Sequence, residues 1–436
     1  MFNKENTMNA WKLALAACGV AALLSGPAWA RPTVYPTGTT IFQPEKAMPD
    51  VFIMAVHPDR VSIIDRNGNE YNSWAVPANY QNLRARLDKN GNLLLAGTVM
   101  DMSSAAALTE EHPTYIAEYD WNGKKLWEHR VPKGLDWHND VNKLKNGNII
   151  YTAYTTIPEE YQKQIKDVEL PWGTFKRSGV NMRGDILREV NPKTGETVWE
   201  WKTWEHLDLN KFSPVCPNSD WTHMNSIQEL PENKWFDGGD KRFAPGNLLI
   251  NPRNLDEFYI IDKTSGKVVW AGNHSYKTGL AHCHEPQMVE KGKPGAGNII
   301  FFDNGLFAKD RNRVGQTLLG ELNPVTGELE WQYESQGYSN MHFFSKTMGS
   351  EERLPNGNTF ISEDNAGRLF EVTRDLKHPE GGEIVWEYMM PTYSQRSRIY
   401  QADFCPQLKS VKRVTEPFAV IPPDNADFHI APTIKK

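Results

Sequence analysis

Cysteine is scarce in this chain, with four in 436 residues and no CxxC pair among them. Ribbon-type zinc sites and thioredoxin-like redox centres need that spacing and are excluded. A basic footprint is also missing. The formal net charge is −6 and no long run of Lys or Arg occurs, which removes the phosphate-tracking groove of a nucleic-acid binder. No apolar run approaches the roughly 20 residues that a membrane helix requires, so no membrane span is expected. Helical periodicity is nearly absent. Residues 159–168 form the best amphipathic stretch and read as an insertion, while 208–218 and 236–245 read as long loops.

What is present begins with an export signal. Lys4 and Lys12 precede an apolar stretch from Leu13 to Leu24, and Ala28-Trp29-Ala30 has the small-x-small form of a signal-peptidase site. Residues 1–30 are therefore expected to be a signal peptide and the protein periplasmic or secreted. Leu15-Ala16-Ala17-Cys18 spells a rival lipoprotein cleavage box. Removing the signal leaves Cys216, Cys283 and Cys405, which allow at most one disulfide within the chain. Whether Cys216 and Cys405 pair is left open.

With 39% hydrophobic and 11% aromatic residues, a large core is available. Its organisation is repetitive. The phrase apolar strand, turn, second strand, glycine turn and closing Trp recurs, ending at Trp74, Trp127, Trp199, Trp270, Trp331 and Trp386. These tryptophans are spaced by about 50 to 70 residues, with about four strands per copy, which is the signature of a β-propeller. The Asn-Pro-x-Thr-Gly and Asn-Gly turns are hairpin chemistry, since Asn and Gly accept positive φ. Residues 31–436 are expected to form one all-β domain, a six-bladed β-propeller with four-stranded antiparallel blades. The tryptophans are read as closing blades rather than stacking on ligands.

Four histidines stand at the same point of successive copies: His138, His223, His284 and His342. In a propeller the start of each innermost strand and the end of the second lie at one mouth of the channel. That rule gathers His223 with Arg253, His284 with Asp303 and Asn304, and His342 with Asp364 and Asn365. Asn225 and His282 lie within reach of the same mouth. A histidine and arginine cluster without Asp or Glu partners suits a tetrahedral oxyanion.

Several of these segments resemble the secreted arylsulfate sulfotransferases, propeller enzymes of bacterial periplasms that work without a nucleotide sulfate donor. The resemblance is carried by Trp221-Thr-His-Met-Asn-Ser-Ile227, Ile250-Asn-Pro-Arg-Asn-Leu255, Cys283-His284 followed by Phe301-Phe-Asp-Asn-Gly305, and Ser397-Arg-Ile-Tyr-Gln-Ala402. It extends from Tyr35 to about Ala402. The resemblance implies sulfuryl transfer from a phenolic sulfate to a phenol through a sulfohistidine, with no cofactor. By motif, His284 corresponds to the nucleophile, and His223 and Arg253 to the groups that hold the sulfuryl oxygens. Tyr400, in the last phrase, is expected to bind substrate. One segment departs from the pattern: the family's channel histidine falls on Asn139, with His138 one residue early. On a strand, one residue reverses the facing side, so His138 joins the site only if a bulge turns it back.

Two other readings stay open. His282-x-His284 with Cys283 between could hold a transition metal. The departure at Asn139 suits a non-catalytic propeller that binds a ligand or an envelope protein.

Overall fold

The computed structural model describes residues 36–76, 80–99, 114–170, 173–212, 219–273, 279–305, 315–336 and 342–410. The expected signal peptide, Cys18 and Cys216 lie outside them.

Alternating apolar strands joined by glycine turns cannot bury both faces alone, so they stack as blades around an axis. Six four-stranded antiparallel sheets form, each ordered from inner to outer strand. Blades 2 to 5 take their strands in sequence order. Their inner strands are Tyr80–Leu87, Asp136–Lys143, Met224–Glu229 and His284–Met288. Blade 1 joins two distant pieces of chain: its inner strand is Arg398–Gln401, and its outer three are Val51–Val56, Arg60–Ile64 and Glu70–Ala75. Blade 6, from Ser350–Arg353 to Ile384–Met389, gains Gly38–Phe42 as a fifth, outermost strand. The ring is thus fastened at both ends, which ties early and late segments into one cooperative unit.

The tryptophans show how blades lock together. The indole N–H of Trp74 donates to the Asp120 carbonyl of blade 2 at 3.0 Å. Trp199 reaches the Lys263 carbonyl, Trp270 that of Pro324, Trp331 that of Gly381 and Trp386 that of Arg66. Each acceptor lies in a turn of the following blade, so one residue supplies both apolar area and a satisfied polar handle. Trp127 packs in the same position and stacks on His129.

The insertion in blade 3 differs from the helix expected over 159–168. Only Glu159–Gln162 is helical, and the chain continues into a two-stranded hairpin, Val168–Leu170 with Gly173–Phe175. None of the four helical residues is buried, so no apolar face extends the turn. The stretch 236–245 is likewise not a plain loop, since Lys234–Asp237 and Lys241–Phe243 form short helices capped by Asn233 and Asp240. No helix among the described residues is long and apolar enough to cross a membrane.

Candidate functional site

His138 enters the site through a bulge. In blade 3, Trp137 pairs with Ala153 and Val141 with Tyr151, so residues 138–140 face the single residue Thr152. Asn139 sits in the left-handed region, φ 75°, a conformation Asn tolerates better than most residues. The bulge re-aims the side chains as such features do. His138 Nδ1 donates to Asp185 Oδ1 at 2.5 Å, and its ring lies 4.6 Å from that of His223, perpendicular to it. Asn139, expected to bind substrate at the channel position, instead donates to the Met224 carbonyl at 3.0 Å and stitches blade 3 to blade 4.

His223 is also left-handed, φ 48°, immediately before its inner strand. Its Nδ1 donates to Asp220 Oδ2 at 2.5 Å. Arg253 follows the second strand, Leu248–Pro252, and its amide donates to the His223 carbonyl at 3.2 Å, which fixes the two residues at one mouth. The expectation of a cluster without carboxylate partners is therefore corrected. Asp185 and Asp220 each hold one imidazole through Nδ1, which fixes the ring and leaves its Nε2 outside that bond. Asp185 also accepts from Thr222 Oγ1 at 2.5 Å and from the Met224 amide at 2.8 Å.

His284 is buried, 3% exposed. Its Nδ1 donates to Asn304 Oδ1 at 2.6 Å, while its Nε2 accepts from the Met348 amide at 3.1 Å. Asn304 in turn donates to the Ser345 and Met348 carbonyls at 2.7 Å each. One carboxamide thus sets both the tautomer of His284 and the path of the segment above it.

The charges divide the histidines. Burial pushes the pKa of His284 well down, and the Arg253 and Arg396 guanidiniums add to the effect. Burial and Arg253 lower His282 to about 3. His223 is lowered as well, by burial first, with Asp220 acting against it. His138 moves the other way: burial would lower it, but the Asp185 carboxylate and its hydrogen bond, with Asp220, raise it above the usual value. The Arg253 charge is felt by Asp220, His223, His282 and His284 alike, so these groups surround one guanidinium.

Other expected residues take structural places. Asn225 donates to the Cys283 carbonyl at 3.1 Å, Asp303 accepts from the Ala281 amide at 2.9 Å, and the His282 amide is held by Asp256 Oδ1 at 2.9 Å. His282 does not share a strand face with His284, because it precedes the strand in a left-handed conformation, φ 59°. Asp364 accepts from the Gly349 and Arg396 amides, and Asn365 from that of Thr347. Two residues stand apart. His342 is exposed, eight positions before the inner strand of blade 6, and its carbonyl accepts from Arg368. Tyr400 is buried between blades 1 and 2, its hydroxyl accepting from the Leu87 amide at 2.9 Å; this tyrosine packs in a core rather than at the mouth. Cys283 and Cys405 are buried free thiols.

Asp185, Asp220 and Met348 are the site residues that sequence reasoning missed. The i,i+3 spacing of Asp220 and His223 was the one available signal. Asp185 comes from the third strand of its blade, Arg183–Val190, and nothing local marks it.

A six-bladed ring whose mouth collects imidazoles from three consecutive blades around one arginine defines a propeller with an anion-directed site. The family profile for arylsulfotransferases (ASST) matches residues 109–390. The chain belongs to that family, which supports sulfotransferase activity in general. No curated protein matches significantly. Among solved structures, a Bacteroides caccae protein of unknown function is 12% identical with a TM-score of 0.46, covering 80% of this chain and 98% of that one. The periplasmic gluconolactonase of Pseudomonas aeruginosa is 9% identical at a TM-score of 0.43, with 81% and 99% covered. A streptogramin B lyase is 12% identical at a TM-score of 0.41, with 83% and 86% covered. At such levels these likenesses carry no functional inference.

Proposed function

We propose that the protein passes a sulfuryl group from an aryl sulfate to a phenolic acceptor through a sulfohistidine at His284, outside the cytoplasm after removal of residues 1–30. The observation that carries this reading is the opposed environments of the imidazoles. His284 is held neutral, with Nδ1 protonated against Asn304 and Nε2 as the lone-pair nitrogen. His138 is biased towards its protonated form by Asp185. Titratable groups pushed apart in this way suit separate nucleophile and acid roles.

In the first step His284 Nε2 attacks sulfur, the sulfur–aryl oxygen bond breaks, and the leaving phenolate takes the proton of His138. Arg253 and His223 neutralise charge on the three equatorial oxygens. In the second, the acceptor phenol returns a proton to His138 as its oxygen attacks sulfur, and His284 is released. The Met348 amide engages the lone pair needed for attack, so that hydrogen bond must open as the donor binds.

Incubation with a chromogenic aryl sulfate should give burst release of phenol and a sulfated peptide containing His284. His284→Ala should lower turnover by about a thousandfold or more. Full activity in that variant overturns the proposal.

A second reading has its own observation. Donor atoms of His138, Asp220 and His223 lie within 4.8 Å of one another, a spacing a metal ion accepts. This moves the metal reading away from His282-x-His284, because both ring nitrogens of His284 are engaged. Elemental analysis of untagged protein decides: below a tenth of an equivalent of transition metal removes this reading. Against the non-catalytic reading, the ring of His138 lies beside that of His223 while Asn139 bonds the Met224 carbonyl.

A further inference from the structure

Four guanidiniums, Arg84 and Arg86 from the inner strand of blade 2 and Arg396 and Arg398 at the inner strand of blade 1, gather on two carboxylates. Arg84 Nε donates to Asp140 Oδ1 at 2.7 Å and Arg84 Nη2 to Glu285 Oε2 at 2.5 Å. Arg86 Nη2 also donates to Asp140 Oδ1, at 3.0 Å. Arg396 Nη1 holds Glu285 Oε1 at 3.1 Å and Arg398 Nη1 holds Oε2 at 3.4 Å. Four positive charges therefore meet two paired carboxylates. Glu351, on the inner strand of blade 6, is 1% exposed, and neither of its oxygens has a hydrogen-bond partner in the protein. Burial first, then the Glu285 charge, drive its carboxyl towards the neutral acid. A surplus of buried positive charge remains, which is costly without an anion.

The same place holds orphaned donors. Arg84 Nη1, Arg396 Nε and Gln395 Nε2 find no acceptor in the protein, although their residues are 0%, 3% and 2% exposed. They are neighbours. Arg84 and Arg396 grip opposite oxygens of one Glu285 carboxylate, and Gln395 Oε1 accepts from the amide of Leu83, next to Arg84, at 2.8 Å. Three neighbouring residues thus each bury an N–H without an acceptor, and both Glu285 oxygens are already engaged, which suits a small spherical anion better than a second carboxylate.

We propose that the channel of this propeller binds one halide ion, chloride by chemistry, between Arg84, Arg396 and Gln395, beside the buried Glu351. This site adjoins the histidine mouth, since Glu285 follows His284 in the strand and Arg396 acts on both, but it does not depend on the sulfuryl-transfer reading.

Crystals grown with bromide in place of chloride provide the test. The expected result is an anomalous peak within hydrogen-bond distance of Arg84 Nη1 and Arg396 Nε. Melting in chloride against gluconate at equal ionic strength gives a second readout, with Tm expected to be higher in chloride by about 2–4 °C. Arg396→Gln should abolish that difference, and Gln395→Leu should diminish it if the first variant does not fold. Glu351→Gln, which stays neutral, should retain it. Ordered water alone on the axis, or a halide effect of equal size in Arg396→Gln or Gln395→Leu, overturns the proposal.

Discussion

Blades 3, 4 and 5 differ from blades 6 and 1 in one respect that decides where chemistry can occur. In the first group each inner strand slips register against its neighbour, between Tyr151 and Ala153, Met224 and Ile227, and His284 and Gln287; blade 2 slips too, between Gln81 and Arg84, but carries arginines there rather than a histidine. In the second group the inner strands pair regularly, Ser350 with Ser362 through Arg353 with Thr359, and Gln401 with Val51 through Arg398 with Met54. A regular strand commits its side chains alternately to channel and blade interface. A bulged one spends an extra residue to aim a side chain at the mouth. The imidazoles at the mouth come from the slipped blades, whereas His342 of blade 6 is left in solvent and Tyr400 of blade 1 in the core.

Backbone strain follows the same division only in part. Six of the eight non-glycine residues with positive φ among the described residues cluster at inner strands: Asn139, His223, His282, Glu285, Met348 and Arg396. The last two lie in regular blades but before their strands, where they reach His284 and Glu285. Strain of this kind persists because neighbouring hydrogen bonds over-determine it.

The comparison breaks most visibly at Asn139. Replacement by Val puts a β-branched side chain at φ 75° and removes the bond to Met224, so about 2–4 kcal/mol of stability should be lost in urea unfolding, with activity falling as His138 turns away. Asn139→Gly should cost only about 1 kcal/mol. Equal losses for the two variants would show that conformation at the bulge is unimportant.

Asp185→Asn tests the pairing rather than the backbone, and about 1–3 kcal/mol should be lost with its bonds to Thr222 and Met224. If His138 supplies the proton, activity declines as pH rises through its raised pKa, and the variant's alkaline limb should shift to lower pH. An unmoved limb would assign the proton to another group.

Acid should loosen the two groups together. His282 is lowered to about 3 and His57, in blade 1, to about 4 by burial, each from an ordinary value of 6.5. Below 6.5 the unfolded chain takes up protons that the folded one refuses, so stability is present above that pH and is lost as pH falls towards 4. Tm measured from pH 7 to 4 should fall continuously; a flat profile would contradict the burial of these rings.

The smallest effects belong to the regular blades. Tyr400→Phe should cost about 1 kcal/mol through the unpaired Leu87 amide and leave turnover unchanged. His342→Ala should alter neither stability nor turnover measurably.

Much of this architecture was legible in the residues. Trp199, Trp270 and Trp331 each stand in the strand that follows a Thr-Gly or Ser-Gly turn, a pattern that repeats because every blade solves the same packing problem. His223, Arg253 and His284 could be brought together by strand order alone. The carboxamides misled, because Asn139, Asn225 and Asn304 look like ligand groups and act as stitches between segments.

The repeat, the blade count and the residue types at the mouth were written into the chain, since periodicity and turn chemistry are local properties. Facing was not. Which side a residue presents depends on its pairing partner, so the slip that admits His138 exists only between two strands. Its orienting carboxylate, Asp185, arrives from two strands further out in the same blade. Closure of the ring by both Gly38–Phe42 and Arg398–Gln401 was likewise decided in three dimensions, where one covers the outer edge of blade 6 and the other completes the inner edge of blade 1.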